Sequence, residues 1–377
     1  MVTYEKEGRL VGRSALGAQS IDNATIEGQV LEARNTLFSQ ELWHELTRES
    51  RTLAAYDVRA QDSRLQIGLK DGTSSITLEL LSVDSLPASD EFLPENNVTE
   101  AISLALQVML SHTHRNTELM RTRPFPPHIS RARTTGHTYT LLRPVLAHIS
   151  HTESSKECTR YVGALVQALK KAGLPSSFTL HTPLPSLAGP GGTGPNQPSD
   201  AQILVTNLIQ PTDFSIDLEA VPDMSFAVRG RTFLYPFLGT IYHVIPPPGS
   251  RLESICPPYK DGFPDAVTVR DSLRTSIAKI LAEHFLSTLP DGSWITSIKG
   301  TSILDAEKEN SDLQFAVRDD DENDDMPYLE VTYVQIQQDG RRRSRTWVWR
   351  SAGESETRTL SSVVEEYGRR TLDFTDA

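Results

Sequence analysis

A proline-free run from Asn23 to Tyr56, NATIEGQVLEARNTLFSQELWHELTRESRTLAAY, constrains the fold of this chain more than any other stretch. Within it Leu31, Phe38, Leu42, Leu46 and Leu53 are spaced by seven, four, four and seven residues, which sets them on one face of a helix. Val30, Ala33, Leu37 and Trp43 widen the stripe beyond a narrow coiled-coil seam, and Arg34, Glu41, His44, Glu45, Arg48 and Arg51 form a wetter side. Asp22 or Asn23 is placed to cap the first free amides, and Glu27 sits near the positive end. A helix over the whole run is a rod of roughly 50 Å. Such a rod outreaches a small core. The spacing therefore predicts that part of its apolar face meets another helix, from this chain or another, although an ordinary buried helix has the same periodicity.

The remaining pattern is mixed. Residues 1–20, with glycines at 8, 12 and 17, read as a flexible lead-in. Residues 21–130 form a long-helix region with a β-hairpin: Leu65, Ile67 and Leu69 alternate on one arm, Ile76, Leu78 and Leu80 on the other, with Lys70-Asp71-Gly72 between them. A second helix begins at an Asn97 cap with Glu100 as its capping-box partner, and is stopped by Pro124 and Pro126-Pro127. Residues 131–175 read as a helical pair, kinked or started around Pro144 and ended at Gly173. Residues 176–377 read as an α+β domain, with a Pro/Gly-rich linker at 183–200. Its strands are expected at Ser177–Thr182, Phe214–Leu218, Phe226–Phe233, Gly239–Ile245, Trp294–Ile298 and Leu313–Val317. A last hairpin spans PYLEVTYVQI and SRTWVWRS. Val269, Leu273, Ile277, Ile280, Leu281 and Phe285 make the inward face of a helix over Asp265–Leu289, and Leu360–Leu372 closes the chain as another. The fold class is thus α+β: long helices with a β-hairpin first, then a mixed or antiparallel sheet with flanking helices, rather than a doubly wound sheet.

Chemistry is sparse along this pattern. GPGGTG at 189–194 lacks the Lys-Ser/Thr of a phosphate loop and lies between prolines, so it reads as linker. His112 with His114, and His148 with His151, do not have the four-residue spacing of a helical zinc pair. The acidic run over Asp319–Asp325 lacks the glycine and closing glutamate of a calcium loop and reads as a solvated connection. RRRSR at 341–345 reads as a charged hairpin tip rather than a short nuclear-import or phosphate-binding patch. No catalytic residue, cofactor or metal ligand is assigned. Cys158 and Cys256 imply no disulfide framework and favour a reducing compartment. No apolar run reaches membrane-spanning length. A net charge of −12 opposes non-specific DNA binding.

The exact residues of the first helix go beyond periodicity. LFSQELWHELTRES resembles the segment that opens the C-terminal half of the Mediator subunit 17 family, through Leu37, Phe38, Glu41, Leu42, Trp43, Leu46, Arg48 and Glu49. WITSIKG, after the helix near Asp271, is similar to the helix-then-tryptophan strand late in the same family. The resemblance implies a C-terminal part or short form of a fungal-type subunit, without the family's further N-terminal helical region. It also implies a non-enzymatic, nuclear scaffold of the Mediator head module, packed with subunits 11 and 22 and linked through the complex to RNA polymerase II. On this view Leu31, Phe38, Leu42, Trp43, Leu46 and Leu53 are structural or partner contacts. The residues alone leave open a soluble enzyme of unidentified class and a peptide-binding adaptor outside Mediator.

Overall fold

The computed structural model describes residues 1–15, 25–69, 72–81, 93–122, 140–182, 200–289, 293–306, 310–320, 326–336, 341–353 and 355–368. In chain order the first elements are β1 (Val2–Lys6), β2 (Arg9–Arg13), α1 (Ile26–Ser50), β3 (Val58–Gln61), β4 (Arg64–Gly68), β5 (Ser74–Glu79) and α2 (Asn96–Thr122). Then come α3 (Leu142–Lys171), β6 (Ser177–His181), α4 (Asp200–Ile209), β7 (Thr212–Val221), β8 (Met224–Phe233) and β9 (Gly239–Ile245). The remainder is α5 (Arg251–Ile255), α6 (Ala266–Thr288), β10 (Trp294–Thr296), β11 (Ser302–Asp305), β12 (Ser311–Asp320), β13 (Met326–Ile336), β14 (Arg342–Arg350) and α7 (Leu360–Gly368). The class is α+β. Two compact units form: residues 1–150, 184–211 and 232–239 make one, and 151–183, 212–231 and 240–377 the other.

The first unit is built on an antiparallel sheet in the order β2-β1-β5-β4-β3. The expected hairpin is present as β4 and β5, with Leu65 opposite Leu78 and Ile67 opposite Ile76. All four side chains are buried, as period-two alternation requires; residues 70 and 71 of its turn lie outside the described residues. The hairpin is only part of a larger sheet. Residues 1–20 were expected to be a flexible lead-in, but Val2–Lys6 pairs with β5 and Arg9–Arg13 with β1. Val2 is buried opposite Leu78. Glu7 and Gly8, with φ of 52° and 74°, join the two strands in the left-handed geometry that suits a two-residue hairpin turn. The glycine at 8 thus marks a turn rather than fraying.

Helix boundaries also differ from the sequence pattern. α1 starts after Thr25, whose hydroxyl accepts from the Gly28 amide at 3.1 Å, while Asp22 and Asn23 lie outside the described residues. It ends at Ser50 after 25 residues, so its length is about 37 Å rather than 50 Å. α2 begins at Asn96, which places Asn97 in the first turn rather than at the cap. The side-chain oxygen of Asn96 accepts from the Arg13 amide at 2.8 Å. The helical pair expected over 131–175 is one helix of 30 residues, α3. Pro144 falls in its first turn, where a missing N–H breaks no helical bond.

The second unit holds two antiparallel sheets, β6-β7-β8-β9 and β10-β11-β12-β13-β14. α6 touches β7 of the first sheet and β10, β11 and β12 of the second. Its predicted inward residues are all buried, and so are Ser276, Ala278 and Ala282, because neighbours lie on more than one side. Phe285 stacks on Phe315 of β12 with ring centroids 5.8 Å apart. Asp265 caps α6 by accepting from the Thr268 amide at 2.7 Å. In β8, Gly230 lets the buried Phe214 ring of β7 lie against its backbone, in space that a Cβ would occupy. The expected strands from 177 to 350 are all present. The hairpin β13–β14 runs in register from Tyr328 opposite Arg350 to Ile336 opposite Arg342, and its Asp339-Gly340 turn lies outside the described residues. The linker expected at 183–200 lies almost entirely outside them; its last residue, Asp200, opens α4.

Candidate docking surface on the first long helix

The C-terminal half of α1 is anchored. Leu46 and Leu53 are buried with Val58, Leu65 and Ile76 of the sheet and with Leu106 and Leu110 of α2. A polar staple adds to this. Glu49 is 7% exposed, and its carboxylate accepts from the backbone amides of Leu141, Leu142 and Arg143 at 2.7, 2.8 and 3.1 Å. These amides open α3, where the helix lacks internal acceptors and its dipole favours an anion. Burial pushes the Glu49 carboxyl above its ordinary pKa, and the three amides and Arg143 oppose that rise. The Arg143 guanidinium lies over the Tyr235 and Tyr56 rings at 4.8 and 5.9 Å and donates to the Leu234 carbonyl at 2.8 Å. Tyr56 closes the cluster by accepting from the Leu238 amide at 2.9 Å.

The N-terminal half is different. Ile26, Val30, Leu31 and Leu37 are 81%, 63%, 50% and 66% exposed, and the last three belong to the apolar stripe of the sequence. Beside them a cleft of about 530 Å³ opens among α1, α2 and α4. Leu31, Arg34 and Phe38 line one wall, Leu104, Val108, His112, Arg115 and Leu119 another, and Val205 contributes from α4.

The six residues predicted from the stripe therefore divide along α1 and the turn that follows it. Leu46 and Leu53 belong to the core; Phe38, Leu42 and Trp43 are partly buried against it; Leu31 is exposed at the cleft. The seven- and four-residue spacing gives them a common face but does not say where neighbouring elements stop covering it. One acidic residue was misplaced, and another had been given no structural role. Glu45, assigned to the wetter side, is buried and pairs with Arg48 at 2.6 Å. Glu49 is the α3 staple, and its presence in the Arg48-Glu49 pair of the family pattern was the available signal. The α2 wall was also missed, since Leu104, Val108, Arg115 and Leu119 lie off the face carrying Ile102, Leu106 and Met109.

Other candidates resolve into structure. His114 pairs with Glu41 at 2.8 Å, the His148 ring lies 3.2 Å from the Asn207 carbonyl, and His151 packs on Phe214. Among the described residues no group of three or more His, Cys, Asp or Glu is placed to hold a metal ion. Burial raises both thiols, Cys158 to about 12, away from the thiolate state that nucleophilic chemistry needs. The acidic run was expected to be a solvated connection. Its first residues are instead strand: Asp319 accepts from the Tyr161 hydroxyl at 3.0 Å and from Arg274 at 2.8 Å, and Asp320 pairs with Arg350 at 3.7 Å. Asp321–Asp325 and GPGGTG lie outside the described residues. Arg342 to Arg345, expected at a hairpin tip, lie in β14, where Arg345 donates to the Tyr367 hydroxyl at 3.0 Å. No described helix is long and apolar enough to cross a membrane.

Comparison with known proteins places α1 inside a family match. The model of the family described as subunit 17 of the Mediator complex matches residues 1–169. Mediator of RNA polymerase II transcription subunit 17 from Aspergillus fumigatus is 31% identical over 275 residues, covering 70% of this chain and 40% of that protein. This chain belongs to the Mediator subunit 17 family. The Aspergillus oryzae subunit 17 is 28% identical over 317 residues, covering 83% of this chain and 47% of that protein. The match to this subunit 17 relative therefore extends well beyond residue 169. The chain spans less than half the length of these relatives. A solved chain from the Schizosaccharomyces pombe Mediator head module is similar with a TM-score of 0.49 and 13% identity, covering 76% of this chain and 59% of that one.

Proposed function

We propose that this chain is a non-enzymatic scaffold subunit of Mediator that docks partner subunits on the first half of α1. The observation that carries this reading is the division of one helix: Leu46 is 3% exposed, whereas Leu31 on the same stripe is 50% exposed. The anchored half, stapled through Glu49 to α3, holds the exposed half in a fixed direction, and covering Val30, Leu31 and Leu37 supplies the association energy. Relatives that are subunits of a transcription complex support the reading, and with it a nuclear location. Family resemblance points to subunits 11 and 22 of the head module as the partners, with contact to RNA polymerase II made through the complex.

Co-expression with the other head subunits and affinity capture on this chain test the proposal. Leu31→Asp should leave soluble abundance unchanged and deplete the captured subunits, because a carboxylate at an exposed site costs folding little but is unpaired in an apolar interface. Leu46→Asp should remove the protein itself from the soluble fraction. Full partner recovery with Leu31→Asp would overturn the assignment of the docking face.

A further inference from the structure

The cleft beside α1 does more than expose apolar surface, because its lining carries charge of one sign. Among the described residues, the fully charged ones of that lining are Arg34 on α1 and Arg115 on α2, and no carboxylate joins them there. In a chain of net charge −12, such a lining is a local exception that favours an acidic partner. Its reach is also defined. The α2 wall extends from Leu104 to Leu119, about 22 Å of helix or four turns. The walls are helices, whose backbone groups are already bonded internally, so an extended peptide would find no strand edge with which to pair its own N–H and C=O groups. A helix arrives with those groups satisfied and needs only side-chain space. The volume of about 530 Å³ suits a row of large side chains from a helix lying over the opening.

We propose that the α1–α2–α4 cleft docks one amphipathic helix from another protein, with an apolar i, i+4, i+7, i+11 row flanked on both sides by carboxylates that meet Arg34 and Arg115. This rests on the docking reading of α1 and specifies the chemistry of the partner. Leu31, Phe38 and Leu104 receive the row, and the two arginines set its direction and exclude basic helices.

The probe is a fluorescein-labelled helical peptide of about 16 residues, carrying a leucine row flanked by glutamates. A second peptide has the same row flanked by lysines, and fluorescence anisotropy on the full chain reads both. The acidic peptide should bind about tenfold more tightly, equivalent to about 1.4 kcal/mol, with a preference that shrinks as salt is raised. Arg34→Glu combined with Arg115→Glu should reverse the preference, with circular dichroism confirming the fold. Equal affinity for the two peptides, or an unaltered preference in the double variant, would overturn the acidic-helix assignment while leaving helix docking intact. Binding of neither peptide, or binding that Leu31→Asp and Leu104→Asp fail to weaken, would remove the cleft as a docking site and the underlying reading with it. Acidic-peptide binding that emerges only after deletion of residues 123–139 would show that this chain covers its own cleft, again overturning the proposal.

Discussion

Replacing Glu49 by alanine is the most informative single perturbation of the anchored half of α1. The substitution leaves the amides of Leu141 and Leu142 without their 2.7 and 2.8 Å acceptor. Both residues are fully buried, so water cannot readily take its place. Loss of an ordinary helix cap costs about 0.5–2 kcal/mol, and leaving a buried donor unsatisfied costs about 1–3 kcal/mol. Part of this is offset, because burying the carboxylate is itself unfavourable and raises its pKa. The expected net loss is about 1–3 kcal/mol, since cap and donor penalties overlap rather than add. Glu49→Gln should cost less, because the amide oxygen replaces one acceptor while its NH₂ faces donors. Bulk fluorescence would mix the two units, given Trp43 in one and Trp294, Trp347 and Trp349 in the other. Native-state hydrogen exchange on peptides from residues 141–150, followed as a function of urea, isolates the first unit. A change below about 0.5 kcal/mol, the range of an ordinary surface substitution, would refute the capping role.

Within the α1 stripe, Leu46→Ala should destabilise the first unit by about 2–5 kcal/mol and Leu31→Ala by less than about 0.5 kcal/mol. Urea titration of both variants checks the contrast, and equal losses would mean the exposed half is covered. In the second unit, Gly230→Ala should cost about 1–3 kcal/mol, because its methyl group occupies the space of the Phe214 ring; thermal unfolding reads this directly. Asp265 has a pKa lowered chiefly by the Thr268 amide it caps, so its folded state holds the proton less tightly than the unfolded chain. Its stabilisation is present above the unfolded carboxyl pKa and is lost as pH falls through the folded value. The stability gap between wild type and Asp265→Ala should therefore close on acidification below that range, and a gap that widened there would contradict the capping assignment.

Much of this fold is legible where a short periodic pattern meets a clear stop. The hairpin of Leu65, Ile67, Ile76 and Leu78, the inward face of α6 and the β13–β14 pair all follow from alternation or 3.6-residue spacing. β1 and β2 were hidden because each has only five residues and the strand that joins their hairpin to the sheet, β5, pairs with β1 from some seventy residues away in sequence. α3 was divided in error because Pro144 resembles a break until it is placed in a first turn. The site was half legible. Periodicity put Leu31 and Leu46 on one face, but only tertiary packing decides that Leu46 is covered and Leu31 is not. Glu45 was misread for the same reason, since a charge on a helix is wet unless another element arrives over it, and the role of Glu49 was missed because no local pattern announces the N-terminus of α3.

On the proposed reading, the first half of α1 is bare in the isolated chain and becomes covered in the assembled complex. Hydrogen exchange measures this directly when peptides spanning Ile26–Phe38 and Leu42–Leu53 are compared in the isolated chain and in the co-expressed assembly. Assembly should slow exchange markedly over Ile26–Phe38 and change it little over Leu42–Leu53, which folding already protects. Unchanged exchange over Ile26–Phe38 in an assembly that retains its partners would contradict it.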